Sequence, residues 1–233
     1  MPCTLPASLA DAAVCRGSFH AVLGREVEDT VFAGFSAALQ KAQAEGQILT
    51  ASLFRYENHL FFYAEGLNRP FTPQGLCPAL DAALLPWPPA LGEAAPRPWA
   101  AMQPYFYHDV PTTAADWQQG RCPQRRRGRI ALLPPDSWCS YMEHHLRIVT
   151  EGLVEGDRWH LICVQEGVLF SYLEEPRTNV NIKHRPGAHS PELDAWIAAD
   201  PESHFARFTP EQKAHPDSGH NFVFLSRIAG TED

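Results

Sequence analysis

No stretch of this 233-residue sequence approaches the roughly 20 apolar residues that a membrane-spanning helix needs. The first residues, Met1 to Gly17, have no basic region before an apolar one, and Asp11 breaks the apolar run, so they do not read as a secretory signal. A cytoplasmic protein without membrane contact is the expectation. The chain also lacks a glycine-rich phosphate loop, a GxSxG elbow and an HExxH pair, which argues against nucleotide-binding, serine-hydrolase and zinc-protease chemistry. Positive charge is scarce: 19 Lys and Arg stand against 27 Asp and Glu, for a net charge of -8. Phosphate backbones need a basic footprint, so no nucleic-acid partner is expected. The six cysteines, Cys3, Cys15, Cys77, Cys122, Cys139 and Cys163, have no CxxC spacing and read as free thiols of a reducing compartment.

What the chain does have is internal likeness. Leu60-Phe61-Phe62-Tyr63-Ala64-Glu65 is matched by Leu169-Phe170-Ser171-Tyr172-Leu173-Glu174. Both read as strands, with Phe61, Tyr63 and Glu65 on one face, and Phe170, Tyr172 and Glu174 likewise. Ala44-Glu45-Gly46 lies opposite Val154-Glu155-Gly156, and Pro78-Ala79-Leu80-Asp81-Ala82 opposite Pro191-Glu192-Leu193-Asp194-Ala195. Matches in the same order argue for one unit written twice.

Each half reads β, α, β, β, α, β. In the first, a strand at Phe19 to Leu23 precedes a helix from Glu26 to Glu45, ended by Gly46. A hairpin of Ile48 to Arg55 and His59 to Glu65 follows, then a proline-rich stretch with short helical pieces, and Tyr105-Phe106-Tyr107 as closing strand. In the second, a strand at Arg129 to Leu133 precedes a helix capped by Asp136 or Ser137 and running to Thr150. Strands follow at Arg158 to Gln165 and Val168 to Glu174, then a helix at Pro191 to Ala199 and a closing strand at Asn221 to Arg227. The expected fold class is α+β: two tandem ferredoxin-like βαββαβ repeats forming an intramolecular dimeric α+β barrel, a pseudo-dimer within one chain. The expected organisation is an arm (1–16), repeat 1 (17–111), a solvated basic linker (112–127, with Arg121, Arg125, Arg126 and Arg127) and repeat 2 (128–229).

The segment Ser140-Tyr141-Met142-Glu143-His144-His145, then Glu155-Gly156, then Leu169 to Glu174, resembles the small L-rhamnose mutarotase family. Members of that family carry a Tyr and a His four residues apart on the first helix, a glycine before the second strand and a Leu-Phe-rich third strand. The resemblance spans about 128–227, with a fainter copy over 17–111. It departs at His144, where the family has Arg, and at Trp159-His160, where it has Asn-Tyr. It implies a single-unit fold that pairs as a dimer, and sugar chemistry without a cofactor or metal.

The residues make chemical sense independently. Trp138, Tyr141 and His145 are spaced three and four apart and share a helix stripe. Exchanging sugar anomers requires protonating the ring oxygen while a base takes the anomeric hydroxyl proton, and His can serve either step, oriented by Tyr. The expected site is therefore His145 and Tyr141 as catalytic groups, with Trp138, Trp159, His160, Tyr172 and Glu174 lining a pocket for a small molecule such as a monosaccharide. The equivalents of Trp138, Tyr141 and His145 in the first half are Glu28, Val31 and Phe35, which places the site in the second half. Two alternatives stay open. One is a binding protein in which Tyr and His are core residues; the other is a haem- or metal-binding barrel, suggested by the histidines His144, His145, His160, His184, His189, His204, His215 and His220.

Overall fold

The computed structural model describes residues 6–177, 182–213 and 218–231. Cys3 and His215 lie outside these. The chain divides into two compact units, the first made of 1–102, 111–122 and 226–233 and the second of 103–110 and 123–225.

In the first unit, β1 (Val14–Val22) leads to α1 (Asp29–Ala44), whose apolar residues recur at helical spacing and bury Phe32, Phe35, Leu39 and Ala42. β2 (Ile48–Tyr56) and β3 (His59–Leu67) form the expected hairpin. A single turn, α2 (Pro78–Asp81), and a short strand, β4 (Ala100–Ala101), follow. Phe62 and Ala64 of β3 join Phe35 and Leu39 of α1 in the core, so Phe61, Tyr63 and Glu65 occupy the other sheet face.

The next segment, β5 (Gln103–Tyr107), belongs to the second unit, where it pairs with a strand some 55 residues later. The expectation that Tyr105-Phe106-Tyr107 closes the first half is thereby corrected. Period-two alternation reports that a segment is an extended, half-buried strand, and is blind to which edge it joins. β4 has taken the place beside β1, through Phe19 opposite Ala101 and His20 opposite Ala100.

The basic stretch is corrected too. It folds back on the first unit through α3 (Ala114–Gln118), capped by Thr113 Oγ1, which accepts from the Asp116 amide at 3.2 Å. Trp117 is fully buried, and Arg121 is buried in an ion pair with Glu65. A stretch with a buried aromatic ring and a paired buried charge is no solvated linker.

β6 (Arg125–Leu132) opens the main body of the second unit, earlier than the sequence pattern suggests. α4 (Pro135–Glu151) starts one or two residues before the expected caps, with Pro at its first position, where the missing N–H is no loss. A two-residue strand, β7 (Val154–Glu155), precedes the hairpin of β8 (Leu161–Gln165) and β9 (Val168–Glu175). Glu166 and Gly167 both take positive φ, the conformation of a tight hairpin whose twist matches its strands. β10 (Lys183–His184) pairs with β7, and α5 (Pro191–Ala198) is capped by Ser190. The expected closing strand splits at Leu225. β11 (Val223–Phe224) pairs with β6, and β12 (Ser226–Gly230) pairs with β2 of the first unit.

All pairings are antiparallel, in the order β12-β2-β3-β1-β4 in one sheet and β11-β6-β9-β8-β5 in the other. Setting aside β12 and β5, each sheet has the strand order of a ferredoxin-like unit. The molecule is α+β with antiparallel sheets. The second core gathers Phe106, Ile148, Ile162, Val164, Leu169, Leu193 and Trp196 between the sheet and α4 and α5.

Candidate functional site

A cavity of about 730 Å³ lies within the second unit. That falls in the roughly 300–1,000 Å³ usual for small-molecule sites. Its floor is a row of side chains crossing all five strands. Phe106 lies opposite Ile162, Ile162 opposite Ser171, Ser171 opposite Arg129 and Arg129 opposite Phe224. Residues directly opposite in antiparallel strands share a face, which is why one row can make a floor. Tyr141 and His145 of α4, and Leu193, Trp196 and Ile197 of α5, close it from the helix side. His108, Asp157, His160, Arg177, Glu202 and Asn221 supply polar groups around the rim and walls.

His145 is the most constrained of these. Its ring meets Phe106 edge-on, with centroids 4.7 Å apart, meets Trp196 in the same way at 4.7 Å, and lies 4.2 Å from the Tyr141 ring. Nδ1 is 2.9 Å from the backbone carbonyl oxygen of Tyr141. A carbonyl only accepts, so Nδ1 carries the proton and Nε2 presents a lone pair. Burial, together with the nearby His144, His204 and His108, lowers the His145 pKa to about 4, so the ring is neutral near pH 7. Burial pushes the Tyr141 hydroxyl up to about 12 and keeps it protonated. The Tyr141 backbone, rather than its hydroxyl, is what fixes the tautomer of His145.

His108 reaches the cavity because Gly156 leaves room for it: a Cβ at position 156 would overlap the imidazole ring. Burial and the charge of Arg177 lower its pKa to about 4. Arg177 is held by Asp157 at 3.3 Å. Asn221 Nδ2 donates to the Glu202 carboxylate. Arg129 stacks over Phe222, 4.8 Å from the ring centroid.

Of the seven residues expected at the site, Tyr141, His145 and His160 line the cavity. Trp138 does not. It sits in the first turn of α4, 39% exposed, and the inward stripe of the helix is Tyr141, His145 and Ile148. Trp159 is buried but not part of the cavity wall. Tyr172 and Glu174 occupy the face of β9 opposite to Leu169 and Ser171, which are the residues that line the cavity. There Tyr172 donates to Glu174 at 2.6 Å, and Glu174 lies 3.3 Å from Arg126. The expectation that they wall the pocket is corrected by strand alternation. Tyr63 donates to Glu65 at the same 2.6 Å in the first unit, so both pairs are buried structural networks.

Sequence reasoning missed His108, Arg129, Arg177 and the aromatic residues Phe106, Trp196, Phe205, Phe222 and Phe224. Arg129 had a signal, as an arginine inside an alternating strand. His108 and Phe106 had none, because β5 is far from its partner strands in sequence. Among the described residues no group of three or more His, Cys, Asp or Glu is placed to hold a metal ion. Cys15, Cys77, Cys122, Cys139 and Cys163 are free thiols. No helix among the described residues is long and apolar enough to cross a membrane.

The α+β class is thus defined by the sheets themselves. No protein-family model matches the sequence, and none of the curated proteins matches it. Among solved structures, the chain is similar to a "putative monooxygenase" from Fusobacterium nucleatum, with a TM-score of 0.42 and 9% identity over 94% of each chain. A second protein so described, from Lactobacillus acidophilus, has a TM-score of 0.40 and 6% identity over 94% of this chain and 95% of that one. An anthrone oxidase-like protein has a TM-score of 0.38 and 8% identity over 96% of this chain and 94% of its own.

Proposed function

We propose that the second unit binds a small organic molecule, largely apolar and cyclic, and that His145 acts on it as a general base. The observation that carries this reading is the bond from Nδ1 to the Tyr141 carbonyl at 2.9 Å, which leaves Nε2 as the acceptor in an aromatic cavity. In the proposed step, Nε2 takes a proton from an acidic C–H or O–H of the ligand. The ligand becomes an anion and His145 an imidazolium, and the proton returns to the same or a neighbouring ligand atom. A base with a lowered pKa works here because the ligand anion, formed beside the imidazolium, offsets the burial that disfavours its charge. Enolisable cyclic ketones and phenols fit this chemistry. The test is a thermal-shift screen of such compounds, followed by proton–deuteron exchange of the compounds that stabilise the protein. Binding without exchange in the wild type would reduce the reading to binding alone.

A second reading, sugar anomer exchange, is favoured by one observation: Tyr141 and His145 both line the cavity, as the mutarotase resemblance requires. The neutral hydroxyl of Tyr141 would be the acid and His145 the base. Saturation-transfer NMR on aldoses, starting with L-rhamnose, tests it, and absence of acceleration over buffer rules it out.

We also propose that the two halves derive from one duplicated βαββαβ unit, with repeat 1 running from β1 to β4 and repeat 2 from β6 to β11. The paired Tyr63–Glu65 and Tyr172–Glu174 bonds support this.

A further inference from the structure

The arginines around the second sheet differ in one respect. Arg126 lies against Glu174, Arg127 against Glu175 and Arg177 against Asp157. The side chain of Arg129 has no ion pair or hydrogen bond among the described residues. Its contact is the ring of Phe222. Yet it forms part of the cavity floor, between Ser171 and Phe224. A guanidinium drawn into a pocket with no carboxylate in hydrogen-bond reach, Glu202 acting on it only from a distance, loses hydration and gains no close partner in return. Such a group is stable when an anion arrives with the ligand.

We propose that Arg129 is the anion subsite of this cavity and that the ligand is an organic monoanion, a carboxylate carried on a planar apolar ring. This rests on the reading that the cavity takes a small molecule. A carboxylate matches the fork of a guanidinium with two parallel hydrogen bonds. A phosphate dianion fits poorly, since Arg177 is already engaged by Asp157 and Glu202 places a second carboxylate on the wall. The floor row sets the size of the molecule. Three strand spacings, about 14 Å, separate the backbones at Arg129 and Phe106. A molecule of one ring and a short linker is the size that such a row accommodates between the Arg129 end of the floor and His145. With the carboxylate on Arg129, the ring lies over Ile162 and Phe106, and its far edge meets Nε2.

Calorimetry with phenylacetate, phenylacetamide and phenyl phosphate tests the assignment. The wild-type protein is expected to bind phenylacetate about 10- to 100-fold more tightly than phenylacetamide, the range expected of a charged hydrogen bond. Arg129→Gln is expected to remove that preference by weakening phenylacetate more than phenylacetamide, and Arg129→Lys to keep part of it. His145→Ala is expected to keep the preference in full, which separates this subsite from the base. Equal affinity for acid and amide in the wild type would overturn the anion subsite and leave the cavity reading standing, and needs no variant to fold. Survival of the preference in Arg129→Gln would overturn it as well. Tighter binding of phenyl phosphate than of phenylacetate would overturn the monoanion assignment. Binding of none of the three would overturn both the subsite and the small-molecule reading.

Discussion

Arg121 holds Glu65 with both terminal nitrogens, Nη1 to Oε2 at 2.7 Å and Nη2 to Oε1 at 2.9 Å, and both side chains are out of contact with solvent. The pair joins the segment after α3 to the middle of the first sheet, 56 residues earlier in the chain. Arg121→Ala leaves a buried carboxylate without its cation and is expected to cost about 3–5 kcal/mol. The double variant Arg121→Met with Glu65→Leu is expected to cost less than the single change, because no charge is left uncompensated. Urea unfolding of both variants measures this; a single variant as stable as wild type would show that the pair contributes nothing.

The same pair sets an acid limit. Burial alone would raise the Glu65 pKa, but Arg121, with help from Arg16 and Tyr63, outweighs it and the net value is below the usual range. A carboxylate with a depressed folded pKa contributes stability that is present above its unfolded pKa and lost as pH falls through the folded one. Stability of the first unit should therefore fall on acidification below about pH 4.5, and Glu65→Gln, in a background where Arg121 is also neutralised, should flatten that fall. An unchanged acid limb in the double variant would disprove the link.

His145 titrates on the acid side for a different reason. Its folded pKa of about 4 lies below the ordinary value of 6.5 because burial disfavours the imidazolium. The unfolded chain then takes up more protons in this interval, so the stability from neutral His145 is fully present above 6.5 and is lost as pH falls towards 4. Ligand proton exchange should hold across that interval and fall only as pH drops through about 4, since only the neutral ring is a base. His145→Ala is expected to slow that exchange by about 10²- to 10⁴-fold. Tyr141→Phe should retain most of it, because the bond that fixes the tautomer comes from the backbone. A loss in Tyr141→Phe as large as in His145→Ala would place the hydroxyl in the chemistry.

The helix stripe shows how far the sequence could be read. Tyr141 and His145 recur at the spacing of one helix face, and that local pattern placed both in the cavity wall. The same pattern included Trp138, yet a stripe has ends, and only tertiary packing decides which turn of α4 still overlies the sheet. Tyr172 and Glu174 were grouped correctly on one face of β9, but alternation cannot say which face a helix covers. Phe106 and His108 were out of reach because β5 pairs with β8, a contact with no local signature. Arg121 was visible as charge, and its burial depended on Glu65, which lies far away in sequence.

Gly156 offers a test of how His108 enters the cavity. A methyl group at this position would overlap the imidazole, so Gly156→Ala must push the ring aside. The His108 pKa, held to about 4 by burial and by Arg177, is then expected to rise towards its ordinary value as the ring gains solvent. NMR titration of the imidazole would show the shift. An unmoved His108 resonance in Gly156→Ala would mean that the backbone, rather than the ring, gives way.

Ser226, Arg227, Ala229 and Gly230 of β12 pair with Arg55 to Ser52 along β2, Ala229 is fully buried, and the Gly230 amide donates to Ser36 Oγ of α1 at 3.2 Å. Without this strand, β2 becomes a sheet edge with unpaired amides and an uncovered apolar site beside α1. Removing 226–233 should therefore raise hydrogen-exchange rates at residues 52–55 and lower the urea midpoint. Ala229→Leu, which keeps the strand but overfills its site, should cost about 1–3 kcal/mol. Together the two variants separate the backbone pairing from the packing. Unchanged protection at 52–55 in the truncated protein would show that β2 holds its place in the sheet through β3 alone.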